Sequence, residues 1–99
     1  MRIDQLWCSQ RNLRRHDQIK QMSEDVKEGK HLNKKPLIEL QVDERDNEIV
    51  INNGHHRVIA IYLAGRKELY EDEYELTYRP KARTRLMNVE SLVKMLKIK

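Results

Sequence analysis

Residues that interrupt helices and strands, or that form cross-links, are scarce in this sequence of 99 residues. It contains three glycines, two prolines and one cysteine. So little glycine and proline leaves no flexible linker and no low-complexity segment, and the sequence shows no internal repeat. Hydrophobic residues make up 38% of the chain. This composition predicts one domain over residues 1–99 with a single modest core.

Long apolar runs are also missing. No apolar stretch approaches the roughly 20 residues that cross a bilayer, and the N-terminal residues lack the apolar core of a signal peptide. The single Cys8 has no partner for an internal disulfide, and we expect it to be buried as a small hydrophobic residue. A cytoplasmic protein without a membrane partner is therefore expected.

Charged residues, in contrast, are abundant and segregated along the chain. Lysine and arginine number 20 against 16 acidic residues, for a net charge of +4. Most of these charges must coat a small surface. The basic residues form three groups, which are Arg11, Arg14, Arg15 and His16, then Lys27, Lys30, His31, Lys34 and Lys35, and finally Arg79, Lys81, Arg83 and Arg85. Acidic residues gather at 43–48 and 68–75. Segregated charge favours an anionic partner, either a nucleotide or a nucleic acid.

Hydrophobic patterning predicts alternating strands and helices, and hence an α/β (α+β) fold with a small mixed sheet. A short strand is expected at residues 3–8, followed by a helix that Asp17 caps and that runs to about Glu28, with Gly29 at its end. Pro36 opens the next strand, whose β-branched content favours a strand over a helix. The acidic residues 43–48 form a turn that we expect to be solvated.

The second half continues the pattern. Residues 49–51 form the returning strand, and a helix at 55–64 follows it. Residues 74–78 alternate as a further strand, and Asn88 caps a last helix at about 88–98 with its apolar face on the core.

The sequence INNGHHRVIAIYLAG at residues 51–65 carries most of the functional signal. An apolar strand stops at Gly54, three cationic or potentially cationic residues follow, and an apolar helix closes the segment. Because the first N–H groups of a helix have no intrahelical partner, this helix start attracts phosphate. The predicted site is Gly54, His55, His56 and Arg57. The structural alternative is a common Asn-Gly turn, in which Arg57 pairs with Glu71 or Asp72 and only fixes the helix.

The stretch GHHRVIAIYLAG resembles the signature of the ParB/sulfiredoxin superfamily, in which a strand ends in glycine and is followed by a polar pair, an arginine and a buried helix. The similarity covers roughly residues 1–79. Upstream, QRNLRRHD at residues 10–17 is similar to a Gln-Pro-Arg stretch of that family without its proline. The other matching positions, in the family's order, are Ile19, Met22, Val26, Gly29, Pro36, Leu37 and Ile38. The resemblance implies a ParB/sulfiredoxin-like fold.

Departures from the family narrow the expected activity. Sulfiredoxin-like enzymes carry a reactive cysteine directly after the motif glycine, and His55 stands there, so the resemblance does not imply thiol-dependent phosphoryl transfer. ParB proteins have Gly-Glu-Arg-Arg where this chain has Gly-His-His-Arg. The resemblance therefore implies the variant pattern in which the His-Arg pair, here His56 and Arg57, contacts nucleotide phosphates. Since 99 residues leave no room for the further ParB domains, we expect a stand-alone module.

Three functions follow. The first is a module that binds a nucleoside triphosphate with Mg²⁺, with Arg14, Arg15 and Lys20 closing over the phosphates. NTP hydrolysis or phosphoryl transfer would also require a residue that orients the nucleophile, and Glu39 is the candidate for this role. The second is a DNA-binding or DNA-nicking ParB-like nuclease. Its contacts with DNA would come from Arg11, Lys27, Lys30, Lys34 and Lys35. The third is a non-catalytic interaction protein of a phage or plasmid type. No metal site is predicted, because the adjacent histidines point about 100° apart on a helix.

Overall fold

The computed structural model describes residues 1–30 and 37–97, and within them it confirms the predicted mixed fold. The strands are β1 (Leu6–Cys8), β2 (Ile38–Asp43), β3 (Ile49–Asn53), β4 (Tyr74–Arg79) and β5 (Met87–Asn88). The α-helices are α1 (His16–Lys27), α2 (His55–Leu63) and α3 (Val89–Leu96). The strands form one sheet in the order β4-β2-β3-β1-β5. Strand β1 is parallel to β3 and β2 is parallel to β4, while β2–β3 and β1–β5 are antiparallel.

Two predicted element starts are wrong by a few residues. Residues Ile3–Gln5 form a single 3₁₀ turn instead of the first half of a strand. Since Ile3 and Leu6 are both buried, their spacing of three suits that turn, and the strand begins only at Leu6. Helix α1 begins at His16, because the Ile19 N–H already donates to the Arg15 carbonyl at 3.1 Å. Asp17 therefore lies in the first turn and does not cap the helix.

Other boundaries are confirmed. Gly29 follows α1 with φ +82°, and Asn88 caps α3, where its side-chain oxygen accepts the Ser91 N–H at 2.8 Å. Cys8 is buried, and burial raises the pKa of its thiol to about 12. The predicted strand start at Pro36 lies outside the described residues.

The core lies between the sheet and helices α1 and α2. Alternate residues of β2 and β3, among them Leu40 and Ile51, point to this side, where α2 buries four consecutive residues, Val58 to Ile61. Such a helix is apolar nearly all round, and it is held against both the sheet and α1.

The opposite face of the sheet is crossed by residues 80–86, here called the strap. Its backbone N–H groups donate hydrogen bonds to β2 and β1. The Ala82 N–H donates to the Asp43 carboxylate at 3.2 Å, the Arg83 N–H to the Gln41 side chain at 3.1 Å, and the Leu86 N–H to the Cys8 carbonyl at 2.8 Å. Two side chains of β2 and one backbone carbonyl of β1 therefore hold the strap.

Asp43 is the centre of this arrangement. Its side chain is 1% exposed, and it accepts the Arg45 guanidinium at 2.7 Å and 2.9 Å. The hydrogen bonds from Arg45, with the backbone N–H groups of Arg45 and Ala82, hold the pKa of Asp43 well below its usual range. Arg85 pairs with Asp46 at 2.6 Å and lies 3.5 Å from Asp43. The expectation of a solvated acidic turn is thus wrong for Asp43. Arg85, predicted as part of a basic group, instead pairs with acidic residues of this turn.

Gly54 joins β3 to α2 with φ +103°. An added Cβ would lie 3.1–3.3 Å from side-chain and backbone atoms of Ile38. We therefore predict that Gly54→Ala lowers the free energy of unfolding by about 2 kcal/mol, because an L-residue is strained at this φ and the neighbour includes rigid backbone. Urea unfolding measures this loss. Gly65→Ala is the matched control, since Gly65 has a similar φ of +93° but open space around it. If both variants lose the same free energy of unfolding, the contact between the added Cβ and Ile38 contributes nothing to the loss.

Candidate phosphate-binding site at the start of helix α2

The start of α2 lies where two parallel strands end. Strands β1 and β3 run in the same direction, with Cys8 opposite Ile51, and α2 begins directly after β3. The first intrahelical hydrogen bond of α2 joins the Val58 N–H to the Gly54 carbonyl at 3.0 Å. The N–H groups of His55 and His56 precede that bond, so the helix geometry provides no acceptor for them. This end of α2 also carries the positive end of the helix dipole.

His55 is inside the protein and supports the site. The residue is 2% exposed, and its Nε2 accepts the Ser9 N–H at 3.0 Å. Ser9 Oγ in turn donates to the Ile51 carbonyl at 2.6 Å. Burial, with smaller effects of the His56 and Arg83 charges, lowers the pKa of His55 to about 4. The ring is therefore neutral at pH 7, and it ties the end of β1 to the first turn of α2.

His56 is the unusual residue of the first turn. Its Nε2 atom is buried and has no hydrogen-bond partner in the part of the chain that the structure describes. Burial, then the charges of Arg15 and His16, lowers the pKa of His56. A buried polar atom without a partner costs free energy and is rare in native proteins. The Arg15 charge that acts on His56 contributes to a positive environment that suits an anion.

Arg57 is half-buried in the same turn, and burial lowers the pKa of its guanidinium. An arginine remains charged at any physiological pH, and its planar fork can meet two phosphate oxygens. Of the predicted site, the structure thus brings Gly54, His55, His56 and Arg57 together in one helix start.

Residues before α1 extend the positive surface. Arg14 and Arg15 are exposed, and no carboxylate pairs with either side chain within residues 1–30 and 37–97. The His16 ring donates to the Leu13 carbonyl at 2.9 Å, and this hydrogen bond holds the ring against the segment that precedes α1. Next to it, a shallow groove of about 550 Å³ separates this segment from α3. The lining residues are Arg11, Asn12, Leu13, Arg14, His16, Met95 and Leu96.

Several other predicted residues lie elsewhere. Lys20 and Lys27 line a smaller cavity with Leu63, at the far end of α2. Lys30 follows the C-terminal end of α1 and pairs with Glu28 at 3.2 Å and Asp25 at 3.5 Å. Arg11 precedes the other end of α1, a helix of 12 residues or about 18 Å. The described residues predicted to bind DNA therefore do not form one patch, and Lys34 and Lys35 lie outside the described residues.

Glu39 lies opposite Asn53, at the same end of the sheet as Gly54. By strand alternation its side chain projects from the face opposite Leu40, away from α2. Within the described ranges, no group of three or more His, Cys, Asp or Glu side chains is arranged to hold a metal ion.

Sequence reasoning missed Ser9. A serine after a short strand carries no distinctive motif, and its contacts with His55 and Ile51 join residues more than 40 positions away. His16 was visible only as a member of a basic group.

Comparisons with protein-family models, with curated proteins and with solved structures found no match to this chain. In the described part of the chain, no helix has both the length and the apolar character needed to cross a membrane.

Proposed function

We propose that the start of α2 binds the phosphate groups of a nucleotide, through His56, Arg57 and the first N–H groups of the helix. The observation that carries this proposal is the buried Nε2 of His56, which has no partner among the described residues, together with the positive charge of Arg15 acting on it. A neutral histidine with Nε2 protonated donates one hydrogen bond, and phosphate oxygens accept it. The bound anion would also offset the positive charge of Arg15 at this helix start.

The roles divide by burial. His55 positions the turn from inside, His56 and Arg57 contact phosphate, and the exposed Arg14 and Arg15 attract the ligand and screen its charge. The resemblance of GHHRVIAIYLAG to the ParB/sulfiredoxin signature supports the same assignment. Lys20 is left out of the site, because it lines the cavity beside Leu63.

Mg²⁺ does not need a protein site in this proposal. The described residues provide no carboxylate cluster for it, and Mg²⁺ commonly binds through substrate phosphates. Hydrolysis and phosphoryl transfer stay predictions of the resemblance, since the described geometry does not direct Glu39 at this helix start.

The test is calorimetric titration with nucleoside triphosphates, with and without Mg²⁺, and with tripolyphosphate and nucleosides as partial ligands. We predict that Arg57→Ala and Arg57→Lys weaken binding, the alanine variant by about tenfold or more, because a charge-assisted contact contributes about 1.5–3 kcal/mol. Lys20→Ala is the matched control and should leave the affinity unchanged.

His56→Ala adds a second, independent readout. Since it removes a buried polar atom that has no partner, the variant should be at least as stable as the parent chain in thermal melts, yet bind the nucleotide more weakly. Unaltered affinity in both the His56→Ala and Arg57→Ala variants would overturn the proposed site. If Arg57→Ala only lowers the melting temperature, Arg57 fixes the helix instead of binding ligand.

The DNA-binding alternative is tested by measuring direct binding of random-sequence duplex DNA at several salt concentrations. Binding through phosphate contacts should fall steeply with salt concentration, because each neutralised phosphate releases counterions. No detectable binding at low salt would remove the DNA-binding alternative.

A further inference from the structure

Strand β4 lies at one edge of the sheet and pairs only with β2 within the described part of the chain. Its six residues carry two exposed apolar side chains, Leu76 at 39% and Tyr78 at 64% exposure. An edge strand of this length with exposed apolar residues is a template for pairing with another strand.

The backbone of β4 presents a defined set of hydrogen-bonding groups to the open edge. The Ile38 N–H donates to the Glu73 carbonyl at 3.0 Å, and the Glu44 N–H donates to the Arg79 carbonyl at 2.8 Å. Because strand residues alternate, the odd-numbered residues of β4 face β2. The N–H and C=O groups of Tyr74, Leu76 and Tyr78 therefore face outward.

The sequence of β4, YELTYR, is complementary to itself in one antiparallel register. With a two-fold axis at Thr77, Glu75 lies opposite Arg79 of a second copy, and Leu76 lies opposite Tyr78. The outward-facing Leu76 and Tyr78 then exchange backbone hydrogen bonds, while the charged pair occupies the close, non-hydrogen-bonded position.

Neighbouring registers are worse. An axis at Glu75 places that carboxylate against its own copy, and an axis at Tyr78 places Arg79 opposite Thr77, so that the Glu75–Arg79 pair is lost. An axis at Leu76 places Arg79 opposite Glu73, a buried side chain already paired with Arg66.

We infer that β4 pairs with β4 of a second copy of this chain, in the antiparallel register centred on Thr77, to form a symmetric dimer with a continuous sheet. The opposite edge of the sheet is β5, which has only two residues. Pairing through β4 therefore closes as a two-fold dimer and does not extend into a fibre. The dimer is independent of the proposed phosphate site.

Sedimentation equilibrium from about 10 µM to about 1 mM protein measures the association. The parent chain should dimerise in this range. Glu75→Arg and Arg79→Glu each place like charges together twice across the axis, and each should weaken the dimer about tenfold or more. An equimolar mixture of the two variants brings only opposite charges together, so it should associate as strongly as the parent chain. The double variant Glu75→Arg with Arg79→Glu should do the same.

Lys94→Glu, a charge reversal at an exposed position of α3, is the control and should not change association. Both β4 substitutions are at exposed positions, and circular dichroism checks that the variants fold. A parent chain that stays monomeric over the whole range overturns the proposal. So does dimerisation that survives both single reversals, or a mixture that fails to recover it.

Discussion

Arg66→Ala is expected to lower the free energy of unfolding by about 2–4 kcal/mol, because it leaves a buried carboxylate without its cation. Glu73 is 2% exposed and accepts the Arg66 guanidinium through both of its oxygens. It also accepts the Tyr70 N–H at 2.7 Å. Arg66 further donates to the Glu68 carbonyl at 3.0 Å, and its guanidinium lies 3.8 Å from the centre of the Tyr70 ring.

Urea unfolding of three further variants separates the causes. Arg66→Lys keeps the charge but not the fork, so its loss should be intermediate. Arg66→Met combined with Glu73→Leu removes both charges and should recover part of the loss, although the Tyr70 N–H then loses its acceptor. Lys94→Ala breaks the exposed pair with Glu90 and should cost less than about 0.5 kcal/mol. If Arg66→Ala costs no more than Lys94→Ala, the buried pair does not support this corner of the fold.

Stability is also expected to fall as the pH drops from about 6.5 to about 4, because His55 must remain neutral in the folded protein. Its ring accepts the Ser9 N–H, and protonation would destroy that hydrogen bond. The pKa of His55 is about 4 in the fold against 6.5 ordinarily, so the unfolded chain binds the extra proton between these values. The stabilisation is complete above pH 6.5 and is lost progressively toward pH 4, by about 3 kcal/mol.

His55→Gln isolates this effect. Its amide oxygen can accept the Ser9 N–H but does not titrate, so the difference in stability between the variant and the parent chain should depend on pH only over this window. Carboxylates titrate in both proteins and cancel in the comparison. An NMR titration of the parent chain that places the His55 pKa near 6.5 would contradict the assignment.

The sequence allowed the elements around the candidate site to be predicted because their signals are local. Asn53-Gly54 followed by an apolar run specifies the strand, turn and helix, and Asn88 three residues before Ser91 specifies a capped helix. The cluster of His55, His56 and Arg57 could be located for the same reason, since successive residues of one helix turn must lie together.

The rest depends on contacts between residues far apart in the sequence. Nothing near Asp43 indicates that the strap returns to bury it, and Arg85 looked like part of a free basic group until its partners were visible. The internal role of His55 depends in the same way on Ser9. Lys20 lines the cavity beside Leu63, and the sequence does not reveal which end of α2 a residue of α1 adjoins.

The order of the strands also has a consequence for how the chain folds. The β2–β3 hairpin is the one strand pairing in the described sheet between neighbours in the sequence, whereas β1 reaches β3, and β4 reaches β2, only after long loops close. Because loop closure costs entropy before any contact repays it, the hairpin and the adjoining α2 form the natural nucleus. The turn at Gly54 belongs to that nucleus, so we expect the start of α2 to form before the strands at both edges of the sheet are in place.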